Sequence, residues 1–74
     1  MIKVFLNVEG MKCGMCEAHI NDAVRKATKI KKVKSSHKRK ETIIIMENDT
    51  DIQKIISSIK SLGYNCNLNR IEEI

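Results

Sequence analysis

Seventy-four residues with 14 Lys or Arg against 9 Asp or Glu, a net charge of +5, bound a chain of one domain, residues 1–74, whose core must come from a few well-packed apolar stripes. No run approaches the ~20 apolar residues of a membrane-spanning helix, and Met1-Ile2-Lys3-Val4 lacks a signal-peptide layout, so a cytoplasmic location without membrane insertion is expected. Three cysteines cannot all pair, which favours free-thiol chemistry in a reducing compartment over a disulfide scaffold.

From Ile2 to Val8 the apolar residues alternate, with Val4, Leu6 and Val8 on one face and Lys3, Phe5 and Asn7 on the other, which predicts a half-buried strand ended by Gly10. The loop Gly10-Met11-Lys12-Cys13-Gly14-Met15-Cys16 then sets two thiols three residues apart. A thiolate is the reactive, metal-binding form of cysteine, and the unpaired N–H groups and positive dipole end of a helix's first turn stabilise it. Cys16 is expected in that turn. Cys13 lies just before it, on a loop flanked by Gly10 and Gly14, so both sulfurs can turn toward one soft ion or toward each other. Met11 reads as an inward-packed gap-filler, although its thioether is able to ligate a soft ion. Met15 reads as exposed.

Beyond Cys16, the residues Ile20, Ala23, Val24 and Ala27 fall at helical spacing opposite Glu17, Asn21, Asp22, Arg25 and Lys26, predicting an amphipathic helix of about three turns. His19, three residues past Cys16, is near it on the helix surface, either as a third ligand or proton-sensitive neighbour or as a solvent-facing residue. Ile30 to His37 reads as an edge strand whose lysines at 29, 31, 32 and 34 block pairing with another chain, with Ser35 and His37 continuing its inner face. A turn at Lys38-Arg39-Lys40-Glu41, lacking Gly and Pro, leads into the strand Thr42–Met46, in which Ile43 and Ile45 face away from Ile44 and Met46.

Ile52, Ile55, Ile56, Ile59 and Leu62 repeat at i, i+3, i+4 and i+7, predicting a second helix capped by Asp51 or by a Thr50/Gln53 capping box. Gly63 is the helix stop. Tyr64, Cys66 and Leu68 alternate with Asn65, Asn67 and Asn69 as a last strand, with Cys66 and Leu68 toward the helices and Ile71 to Ile74 as its frayed end. The element order predicts an α+β, ferredoxin-like βαββαβ fold: a four-stranded antiparallel sheet with two helices on one face. Chain reversal then brings the thiol loop, the basic tip His37-Lys38-Arg39-Lys40 and Tyr64 to the same end.

Gly-Met-x-Cys-x-x-Cys after a short first strand, with Ile20 and Val24 on the first helix and the Leu62-Gly63-Tyr64 turn at matching distances, resembles the heavy-metal-associated domain of copper chaperones and copper-transporting P-type ATPases. The resemblance spans nearly the whole chain. It implies a Cu(I) chaperone, not an enzyme, with Cys13 and Cys16 as metal ligands that yield in turn to the thiols of a P-type ATPase or metal-responsive regulator. Met11, Tyr64 and His19 are expected to tune the site, and Lys12, Lys38, Arg39 and Lys40 to dock an acidic partner. The chain is expected to be a free-standing carrier, monomeric when metal-free, with a metal-bridged dimer as an alternative.

Residue chemistry agrees that two thiolates suit a low-coordinate soft ion and are too few for a closed structural zinc site, while Zn, Cd and Hg stay open as other metals. The rival enzyme reading is a thiol-disulfide oxidoreductase, for which C-x-x-C at a strand-to-helix junction is also a signature. Thioredoxin-like proteins place a cis-proline opposite the cysteine pair, and this chain has no proline. A metal-sensing or regulatory domain is a third reading. The positive charge permits nucleic acid, anionic membrane or acidic protein as partner. With Phe5 and Tyr64 the only aromatics and no nucleic-acid-binding spacing, nucleic acid is not expected.

Overall fold

The computed structural model describes residues 1–48 and 51–74. Its elements are β1 (Ile2–Glu9), α1 (Gly14–Ala27), β2 (Lys32–Ser36), β3 (Glu41–Met46), α2 (Ile52–Ser61) and β4 (Asn65–Glu73). The strands form one antiparallel sheet in the order β2-β3-β1-β4. Both helices cover one face, α1 against β2, α2 against β4, and each against the other. This is the expected ferredoxin-like α+β architecture.

Period-two alternation places the core. Val4, Leu6 and Val8 of β1 are fully buried beside Ile44 and Met46 of β3, under Ile20 and Val24 of α1 and Ile52, Ile55 and Ile59 of α2. Ile43 and Ile45 lie on the uncovered face, half-buried, as the alternation requires. Phe5 also points to that face yet is buried, because the Arg70 guanidinium lies 4.0 Å and the Lys3 ammonium 5.4 Å from its ring centroid.

Several boundaries differ from the sequence expectation, each for a local reason. The first helix begins at Gly14, inside the expected loop, and runs 14 residues, nearly four turns. β2 is only Lys32–Ser36: Ile30 packs partly against the core before it, and His37 leaves the strand's inner face to join the turn. That inner face is polar but satisfied. Buried Ser35 donates to Asn21 Oδ1 at 2.7 Å and lies 3.0 Å from the buried Thr42 hydroxyl, so Asn21 is not on a free outer face of α1. Glycine-free reversal into β3 is made by Lys40 in the left-handed region (φ 56°), and its carbonyl accepts the Val8 N–H at 2.9 Å.

In α2 the apolar repeat stops at Ile59, and Leu62 is exposed at the C-cap, followed by Gly63 at φ 99°. Asp51 occupies the N-cap position without capping, because its carboxylate accepts the Thr28 hydroxyl at 2.6 Å and so ties the start of α2 to the end of α1. The alternative capping box involves Thr50, which lies outside the described residues. β4 is not frayed at Ile71: Ile71, Glu72 and Glu73 pair with Val4, Lys3 and Ile2, after a bulge that shifts the register between Phe5 and Leu6. Cys66 is buried as expected, whereas Leu68 is 45% exposed on this edge strand.

The contrast between two leucines paired across β1 and β4 gives a test. Leu6→Ala is expected to cost about 2–5 kcal/mol in chemical denaturation, whereas Leu68→Ala costs less than about 1 kcal/mol. Equal losses would contradict the described cover of the sheet.

Candidate functional site

The end of β1, the start of α1, the β2–β3 turn and the start of β4 meet at one end of the sheet, and each junction is fixed by a contact. Gly10 has φ 110°, and a β-carbon there would lie 3.0 Å from Tyr64 Cδ1, so the loop passes directly against the Tyr64 ring. The turn joins β1 through the Lys40 carbonyl and α1 through Glu17, whose Oε2 accepts the His37 N–H at 2.8 Å and also the His37 ring Nδ1–H. His37 therefore anchors the tip instead of continuing the strand. Glu17, expected to face solvent, is half-buried, and its carboxyl is held below the usual carboxylate range by the His37 N–H first and the His37 ring second.

Cys13 is the N-cap residue of α1, with extended backbone, and its carbonyl accepts the N–H groups of Cys16 at 3.1 Å and Glu17 at 3.3 Å. Cys13 and Cys16 thus share the first turn of α1. Cys13 is exposed, Cys16 is partly covered, and the Cys13 thiol reaches the Cys16 sulfur as a hydrogen-bond partner. The Cys16 thiol is lowered to about 7, by the Tyr64 hydroxyl first and then by backbone groups of Lys12 and Cys13, against the opposing effect of desolvation. Tyr64 is pushed up in return, because its proton is shared with the Cys16 sulfur. The lowering thus comes mainly from Tyr64 and the loop backbone.

The other expected site residues divide by location. Met11 is half-buried and packs on the core, matching its gap-filling role. Tyr64 likewise packs against the core while its hydroxyl reaches Cys16. His19 and Met15 are exposed on the first turns of α1. Lys12, Lys38, Arg39 and Lys40 are exposed around the same end. Cys66 is buried, and burial pushes its thiol up to about 11. Among the described residues no group of three or more His, Cys, Asp or Glu side chains converges to hold a metal.

The Glu17–His37 link and the Ser35–Thr42–Asn21 cluster were not anticipated from sequence. A signal for the first existed, since chain reversal already placed the start of the helix and the 37–40 tip together. The second had no sequence signal beyond polar residues at inward positions.

Comparison with known proteins agrees with the geometry. The sequence pattern described as the heavy-metal-associated domain matches residues 5–65. The chain is 31% identical over all 74 residues to a mercuric reductase of Lysinibacillus sphaericus, and 35% identical over 65 residues to the copper chaperone CopZ of Enterococcus hirae, covering 93% of CopZ. It spans only 13% and 11% of the lengths of the two mercuric reductases it matches. The yeast copper transporter domain Ccc2a, solved apo and Cu(I)-loaded, superposes with a TM-score of 0.86 at 26% identity, covering 97% of this chain and 100% of that one.

Replacing Tyr64 by Phe removes the proton that the thiolate shares, so the charged form of Cys16 loses its main partner. The midpoint of Cys16 alkylation against pH should rise from about 7 toward the ordinary thiol range, while Cys66, at about 11, labels slowly in both proteins. An unchanged midpoint in Tyr64→Phe would contradict this assignment.

Proposed function

The chain belongs to the heavy-metal-associated domain family, and from that premise we propose that it binds one soft ion, Cu(I), between the sulfurs of Cys13 and Cys16 and passes it to a partner by thiolate exchange. The observation that carries this reading is the pairing, on one turn, of an exposed sulfur with a sulfur whose thiolate forms near neutral pH. Two thiolates satisfy a soft ion that accepts low coordination. They leave one side open, and a carrier needs that opening to release its cargo.

In the exchange, a partner thiolate approaches from the exposed side and bonds to the ion, and Cys13, at the N-cap, is the first ligand to leave. Cys16 leaves second, as a second partner thiolate replaces it, and the Tyr64 hydroxyl stabilises the departing thiolate. Tyr64 also shields one side of the pair from water, while Met11 fixes the loop from below and His19 stands one turn along the helix. Lys12, Lys38, Arg39 and Lys40 face an acidic docking surface on the partner, a metal-transporting P-type ATPase or a metal-responsive regulator. The setting is the reducing cytoplasm, where both thiols stay free.

Hg(II) is a second reading of the same cargo site. It is favoured by the match of the whole chain to part of a mercuric reductase. Two thiolates serve both ions, so affinity ranking rather than ligand identity separates the two readings.

Anaerobic titration of the reduced protein with Cu(I), Zn(II) and Hg(II) under chelator competition tests the proposal. One Cu(I) per chain is expected, with tight binding lost in Cys13→Ser and in Cys16→Ser and kept in Cys66→Ala. Near wild-type affinity in either serine variant would remove the site. The Lys38/Arg39/Lys40→Ala triple variant should transfer its ion more slowly to an acidic acceptor and lose most of the salt dependence of transfer.

A further inference from the structure

The sheet face turned away from the helices carries neither Cys13 nor Cys16, and strand register fixes its layout. One row across it reads Lys32, Ile45, Lys3, Glu72, and the next reads Lys34, Ile43, Phe5, Arg70. Ile43, Ile45 and Phe5 lie inside the two rows with Lys3 beside them, Lys32 and Lys34 form the β2 margin, and Glu72 and Arg70 form the β4 margin. Two shallow grooves of about 220 Å³ each run over this face, both bordered by Lys34 and Ile43, one with Lys3 and Lys32 and the other with Arg39 and, at its end, Glu41. Glu72, the one anion in the two rows, is held by Arg70 at 2.9 Å, and among the described residues Lys3, Lys32 and Lys34 form no ion pair.

We propose that this face docks on an anionic lipid membrane. Its charge is complementary to acidic headgroups, and three of the four cations in its two rows are lysines, point charges without the planar fork that reads one carboxylate or phosphate in fixed geometry. Such charges suit a surface of mobile headgroups that rearrange beneath them. Half-buried Ile43 and Ile45 offer shallow apolar contact between them. Single-stranded nucleic acid fits less well, because stacking needs an open ring, and Phe5 is only 6% exposed beneath Arg70. Docked in this way, the domain keeps α1, α2 and the thiol loop clear of the surface, so the proposal stands whether or not the metal reading does.

The test is cosedimentation of the full chain with vesicles of mixed phosphatidylcholine and phosphatidylglycerol, against vesicles of phosphatidylcholine alone. Binding is expected only to the mixed vesicles and should fall as salt rises. The pair Lys32→Gln/Lys34→Gln should weaken it about 25-fold, about fivefold for each lysine near the surface. The control pair Lys26→Gln/Lys60→Gln removes the same charge from exposed positions on the helix side and should leave partitioning within about twofold. Equal weakening by both pairs would mean that net charge, not this face, is responsible, and would overturn the proposal. So would absence of vesicle binding, or binding through Lys32 and Lys34 to a single-stranded oligonucleotide or polyglutamate instead of vesicles.

Discussion

Gly10 packs hard against the Tyr64 ring, where a β-carbon would lie only 3.0 Å from Cδ1, and the organisation of the thiol end depends on that contact. With φ 110° and the Tyr64 ring 3.0 Å from where a side chain would begin, Gly10 lets the chain turn out of β1 hard against the start of β4. The turn sends the next residues across the end of the sheet and into α1, with Cys13 at the N-cap and Cys16 in the first turn. The same approach lets the Tyr64 hydroxyl reach the Cys16 sulfur. Backbone geometry and thiol chemistry are thus set by one close contact, and the Lys40 carbonyl and Glu17–His37 link bring the basic tip to the same place.

Two cysteines in this chain illustrate how location decides thiol chemistry. Cys16 has the Tyr64 hydroxyl and nearby backbone groups as partners and ionises near neutral pH, at about 7. Cys66 is 1% exposed among apolar side chains, and desolvation raises it to about 11. The first is available to a soft ion, the second is a small piece of core. The loop also brings the second thiol within reach of the first, which makes a pair out of two residues that a longer spacing would leave apart.

Much of this was legible in the sequence because it depends on periodicity and chain reversal. Alternation in β1 and β3 and the isoleucine repeat of α2 identified the core, and element order alone predicted that residues 10–16, 37–40 and 64 converge. What was not legible depends on long-range pairing. Ile71 is held in β4 by register with Val4 across a bulge, which no local signal in the asparagine-rich segment announces. His37 leaves its strand because Glu17, twenty residues earlier, offers a carboxylate. Leu62 and Leu68 have the right spacing but lie where the helices and the sheet edge leave them open, a matter of cover and not of pattern.

The central claim is that residues distant in sequence form one end at which a soft ion meets Cys13 and Cys16. The most direct measurement is the change in backbone amide chemical shifts as one equivalent of Cu(I) is added anaerobically to the reduced, isotope-labelled protein. Shifts should concentrate at residues 10–17, around Tyr64 and, more weakly, in the 37–41 tip, and should saturate at one ion per chain, with Cys66 and α2 unmoved. Saturation at a different ratio, or shifts centred on Cys66 or on the opposite end of the sheet near Thr28 and Asp51, would contradict it.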